Sequence, residues 1–140
     1  MYQKKKKIEF DVSEDYFFGL SHNQKTAIIY FLSVIAACEN NVKIRNDSPA
    51  FINHCYKVLQ VTGDQVLEYV SIGGREQTVS DLKKMNPYSF VMLIATTAEL
   101  CELNGGLSEE KYIALVDWLD DMEMSIDDWN DYAINEQNFV

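Results

Sequence analysis

Apolar residues recur at three- and four-residue spacing along most of this chain and almost nowhere alternate, a pattern that predicts helices and no sheet. Ser13 with Glu14 and Asp15 opens a short helix through Leu20, carrying Tyr16, Phe17 and Leu20 as its apolar side. Ser21 followed by Gln24 has the form of a capping box, and the helix it starts should run to about Glu39. From Ala27 to Cys38 that helix is apolar nearly all round, so it is expected to be buried on most sides. Ser48 and Pro49 then open a helix through about Gln60 with Phe51, Ile52, Cys55, Val58 and Leu59 inside. Thr62 and Gln65 form a second capping box, starting a short helix with Val66, Leu67 and Val70 inside. Gly73 and Gly74 break the chain, and Arg75 to Met85 reads as a connecting helix that turns Val79 and Leu82 inward.

The second half follows the same plan. Asn86 and Pro87 start a helix through about Leu103, again apolar nearly all round, which Gly105 and Gly106 end. Ser108 caps a helix from Glu109 to Met122 whose inner face is expected to be Tyr112, Ile113, Leu115, Val116, Leu119 and Met122; Ser125 with Asp128 caps a last helix holding Ile126, Trp129 and Tyr132. This parallel is also visible residue by residue, at a gap-free offset of 63: Cys38, Glu39, Asn41, Ile44 and Asp47 fall on Cys101, Glu102, Asn104, Leu107 and Glu110, and Thr62, Asp64 and Tyr69 on Ser125, Asp127 and Tyr132. Two copies suggest a pseudo-two-fold pair, because a solenoid needs about three stacked repeats to bury its faces. The chain is therefore expected to be one all-α domain of seven or eight helices in two pseudo-symmetric halves, 21–70 and 87–134, joined by a connector at 73–85. A flexible arm over 1–12 and a tail over 135–140 complete it. The two most apolar helices, Ile28 to Cys38 and Val91 to Cys101, should cross with Ala36 or Ala37 and Ala95 or Ala98 at the closest approach.

Composition narrows the function classes. With 140 residues, 47% apolar and 24% charged, the chain fits one globular domain, and its apolar runs fall short of the roughly 20 residues of a membrane span. No apolar stretch and cleavage site follow Lys4 to Lys7, so no secretory signal is read and a cytoplasmic location is expected. Cys38, Cys55 and Cys101 sit in apolar helical patterns without metal-ligand spacing and read as packed thiols. The net charge is -10, and from Glu99 to Val140 twelve carboxylates face a single Lys111. A nucleic-acid binder needs a basic face to displace counterions from phosphate, so nucleic acid is disfavoured, and the expected partner is an unidentified protein, for which a basic one would suit this charge.

The two inter-helix turns, Asn41 to Asp47 and Asn104 to Glu110, have a common form: a turn residue, an aliphatic residue three positions on, and an acidic residue opening the next helix. In this the chain resembles the tellurite-resistance TerB-like family, whose signature is an Asp-Gly turn, an aliphatic residue, a Ser-type cap and an acidic residue, present once in each half of an all-helical domain. Gly105, Leu107, Ser108 and Glu110 match it; the first copy keeps Ile44 and Asp47. The resemblance, from about Ser21 to Tyr132, implies a cytoplasmic bacterial module linked to tellurite or other stress, with divalent metal held by the turn carboxylates. Both family Asp positions are here Asn41 and Asn104, and an amide oxygen is an uncharged, weaker ligand for a hard cation. As structure alone, the turn needs no metal: Asn tolerates the left-handed region, Gly105 supplies positive φ, Leu107 plugs the core and Glu110 favours a helix N-terminus.

The remaining chemistry is acidic. Asp117, Asp120 and Asp121 on one helix and Asp127, Asp128 and Asp131 on the next, with Glu110, form the candidate set for calcium or magnesium, the competing reading being a solvated acidic face. Neither His22 nor His54 has a partner at triad or zinc spacing, and no phosphate loop, nucleophile elbow or zinc-helix motif occurs. The sequence is thus read as a non-enzymatic protein-interaction or stress-response module without a cofactor, the alternative being a divalent-cation-binding protein.

Overall fold

The computed structural model describes residues 10–38, 48–103 and 108–137, with side chains as far as residue 131. Among these residues a 3-10 turn (Glu14–Phe17) precedes six α-helices: α1 (His22–Ala37), α2 (Ser48–Leu59), α3 (Gly63–Lys83), α4 (Pro87–Glu102), α5 (Glu109–Asp121) and α6 (Ile126–Gln137). No strand occurs among the described residues. The all-α expectation is met, with six of the expected seven or eight helices among the described residues. The segments on either side of the Gly-Gly pair join end to end as α3, interrupted at Gly74 by one non-helical residue, and the first segment is a single 3-10 turn.

The helix starts are set by side-chain caps. Ser21 and Gln24 exchange hydrogen bonds reciprocally at the head of α1, as Thr62 and Gln65 do at α3. Asn86 accepts from the Ser89 N–H at α4, and Ser108 from the Lys111 N–H at α5. Each cap satisfies amide groups that have no partner inside the helix, worth about 1 kcal/mol apiece.

α1 lies at the centre, packed on α3, α2, α4 and α5, while α4 packs on α6, on α1 and on the 3-10 turn. Ile28, Ile29, Phe31, Leu32 and Ile35 are fully buried. At about 1.5 to 3 kcal/mol for each such side chain, they match in size the whole net stability of a domain, about 5 to 15 kcal/mol. α1 and α4 do meet; of the alanines expected at the closest approach Ala36 is buried, whereas Ala37, Ala95 and Ala98 are exposed. α4 buries Thr96 and Thr97 instead, their hydroxyls satisfied by donating to the Met92 and Leu93 carbonyls one turn back.

The corner between α2 and α3 and that between α5 and α6 have the same backbone geometry at the 63-residue offset. Gln60 (φ 57°) and Glu123 (φ 59°) are both left-handed. The Val61 N–H reaches the Tyr56 carbonyl at 3.2 Å, and the Met124 N–H reaches the Leu119 carbonyl at 2.9 Å. The Thr62–Gln65 capping box has its counterpart in Ser125 and Asp128, which also bond reciprocally.

The arm expected over 1–12 is docked where it is described. The Asp11 and Val12 N–H groups donate to the two oxygens of Glu99 at 2.7 and 3.2 Å, His54 Nε2 lies 2.8 Å from the Val12 carbonyl, and Phe10 packs edge-on against Phe51. Val12 is buried. Phe10 and Val12, with Asp11 between them, are the signal in the sequence that this segment has an inner face.

The thiols are free, Cys55 and Cys101 buried and Cys38 half-buried. Burial pushes Cys55 up to about 12, with Glu99 adding to the rise. Burial likewise raises Cys101 to about 11, Lys111 opposing and Glu102 adding. Because the unfolded thiol ionises near about 8.5, both contribute stability that is fully present below that pH and lost as pH rises toward 11 and 12. Urea midpoints should therefore fall above about pH 9, and at pH 8 a thiol reagent should label Cys38 first and the other two at the rate of chain opening. Equal labelling of all three in the folded state would contradict this burial.

Candidate functional site

An open groove lies between the end of α1, the break in α3 and the outer side of α5. It encloses about 510 Å³ and is lined by Val34 and Cys38, by Arg75, and by Glu110, Ile113, Ala114, Asp117 and Trp118. Its position follows from how α5 is turned. The inner face is Lys111, Leu115, Trp118, Leu119 and Met122, while Tyr112 and Ile113, expected inside, are exposed, Ile113 to 60%. The rotation comes from Trp118, the largest side chain of the helix, which takes the central core position that the aliphatic spacing alone would give to Ile113 or Tyr112.

Arg75 closes one end. Gly74 (φ 55°, ψ -147°) redirects the chain just before it, so that the second segment of α3 sends the Arg75 side chain across to α5. Its Nη2 donates to Asp117 at 3.0 Å and its Nε to Asp121, and its Cζ stands 4.1 Å above the Trp118 ring centroid. The side chains remain partly solvated, at 36% for Arg75, 67% for Asp117 and 46% for Asp121. Exposed ion pairs of this kind contribute about 0.2 to 1 kcal/mol each. Arg75 is thus a positioning contact between α3 and α5 rather than a main source of stability.

The carboxylates singled out from the sequence do not gather at one point. Asp117 and Asp121 hold Arg75, Asp128 bonds the Ser125 N–H as a cap, and Asp120, Asp127 and Asp131 are exposed. Glu110 is half-buried on the groove wall and Ser108 caps α5. Among the described residues no three His, Cys, Asp or Glu side chains converge as a metal site would require. Asn41, Ile44, Asp47, Asn104, Gly105 and Leu107 lie outside the described residues. Arg75 is the side chain of this groove that the sequence does not single out; its partners are 42 and 46 positions away, and only its place as a cation after a Gly-Gly pair marks it.

A second groove, of about 400 Å³, runs between the start of α1 and the first part of α3, past His22, Thr26, Glu68, Tyr69 and Gln77. Its wall is fixed by Asp81, which is buried and accepts from the Tyr69 hydroxyl and from Gln77 Nε2. Burial and this carboxylate together hold the Tyr69 hydroxyl well above the ordinary tyrosine range, so it stays a proton donor. These groups bond to one another across the break in α3.

No helix among the described residues is long and apolar enough to cross a membrane. Comparison with known proteins gives no matching family model, no matching curated protein and no matching solved structure.

Proposed function

We propose that this chain is a TerB-like, non-enzymatic helical module of the cytoplasm, built from a duplicated helical unit, that works by binding another protein. The duplicated unit is supported by the two helix corners that share their left-handed residue, their closing hydrogen bond and their capping box at one offset. The resemblance in the turns supplies the family and the link to stress response. The single observation that carries protein binding is the groove beside α5, where Ile113, 60% exposed, stands over an apolar floor between acidic side chains. A single exposed aliphatic side chain is ordinary on a surface; what favours docking here is that Ile113 stands in a concave place beside Val34 and Ala114, with Glu110 and Asp117 at its rim.

The cation-binding alternative needs carboxylates free to converge, and in this arrangement Asp117 and Asp121 are already spent on a guanidinium and Asp128 on a cap. The test of the protein-binding reading is selection from a displayed random-peptide library against the wild-type chain, counter-selected with Ile113→Glu. Ile113 is exposed, so this substitution should leave the fold intact. Enrichment of sequences that bind wild type and lose binding to Ile113→Glu is the expected result. If no enriched sequence depends on Ile113, the groove is not a docking site.

A further inference from the structure

We propose that the occupant of this groove is an arginine-bearing amphipathic segment of another protein, and that Arg75 sits in the seat its arginine takes. The inference rests on the protein-binding reading above and adds what the partner must present. Asp117 and Asp121 are one helical turn apart on α5 and face the same way, and between them they accept from two different nitrogens of one guanidinium. The Trp118 ring lies beneath, its centroid 4.1 Å from the guanidinium carbon. Two carboxylate acceptors over an aromatic face match a planar, multi-donor, weakly hydrated cation, and a compact ammonium would satisfy only the charge.

Charge and chain freedom argue that the seat can be exchanged. One guanidinium against two carboxylates leaves a negative charge over, and Asp117, the more exposed of the two, also lines the groove. The stretch from Glu99 onward adds an overwhelmingly acidic surround, so a cationic partner is steered in while an acidic one is repelled. Arg75 is over a third exposed, so its side chain can swing out through its own torsions and give up the Trp118 face to the incoming guanidinium, while the break at Gly74 stays as it is. Solvated ion pairs contribute little, so replacing Arg75 by an incoming arginine is nearly balanced in itself. The apolar contacts with Val34, Ile113 and Ala114 then decide the outcome.

The test uses a fluorescein-labelled synthetic helix of leucines at i, i+3, i+4 and i+7 beside one central arginine, and the same peptide with citrulline or lysine in its place, titrated by anisotropy. Arg75→Gln should bind the arginine peptide roughly two- to fivefold more tightly than wild type, the range of an exposed ion pair that no longer competes. Asp117→Asn with Asp121→Asn should weaken it roughly tenfold, and the lysine peptide should fall between arginine and citrulline. Raised salt should weaken only the arginine and lysine peptides. Thermal melts confirm that each variant is folded; should Arg75→Gln be unstable, Arg75→Lys, which keeps a cation but loses the fork, should still tighten binding measurably. Unchanged or weaker binding by a folded Arg75 variant overturns the seat exchange. Equal binding of the citrulline peptide that still depends on Ile113 overturns the arginine seat and leaves the docking groove standing, whereas binding indifferent to Ile113→Glu removes both.

Discussion

Trp118→Ala is expected to cost about 3 to 5 kcal/mol, the range for emptying a buried tryptophan site, and so to remove about a fifth or more of a typical domain's net stability of about 5 to 15 kcal/mol. The size follows from where the ring sits. Trp118 is 1% exposed and meets Phe31 edge-on at 5.5 Å and Tyr30 edge-on at 5.9 Å; Phe31 in turn contacts Trp129, and Trp129 packs edge-on against Phe90. This chain of rings ties α1, α5, α6 and α4 together, so one deletion loosens four helices. No acceptor meets the Trp118 Nε1 among the described residues. Trp118→Phe, which keeps an aromatic ring and removes that donor, should therefore cost clearly less than Trp118→Ala. Urea denaturation of the three proteins gives the ranking, and a loss below about 1 kcal/mol for Trp118→Ala would mean that the ring is not the keystone of this core.

Helix existence was legible because it is a local property. The capping boxes at Ser21 and Thr62 and the caps at Asn86, Ser108 and Ser125 could each be read from residues three or four positions apart, and each makes its bond. Facing was not local. An all-round apolar helix such as α4 offers several candidate inner sides, and hydropathy ranks alanine above threonine. Yet a threonine that donates to its own helix can be buried at little cost, while Ala95 and Ala98 go outward. On α5 the aliphatic spacing pointed to Ile113, and the larger ring of Trp118 won the core position.

The candidate site was legible in its charge and hidden in its geometry. Twelve carboxylates after residue 98 pointed to an acidic surface and a basic partner. What a sequence cannot show is that Arg75 crosses to Asp117 and Asp121, because no periodicity connects residues 42 and 46 apart on different helices. That contact changes the chemistry of the cluster: two of its members become a guanidinium seat instead of ligands for a hard cation.

Gly74→Val should cost about 3 kcal/mol, the upper end for holding a non-glycine residue in a glycine-only conformation. At φ 55° and ψ -147° the backbone of Gly74 lies where a Cβ clashes with its own chain, although the space around it is open, so the penalty is conformational and repacking cannot relieve it. The break cannot straighten instead. A continuous α3 would swing Arg75 away from Asp117 and Asp121, and it would part Tyr69, before the break, from the buried Asp81 after it. Gly73 is locked for a separate reason, since a Cβ there would come within 2.4 Å of the Gln77 Cβ. Gly63→Ala is the control, because its surroundings are open and its φ is not left-handed, so it should be neutral or stabilise by about 0.4 to 1 kcal/mol through the unfolded chain. If Gly74→Val matched Gly63→Ala in urea midpoint, the break would be dispensable, and with it the reason that Arg75 points at α5.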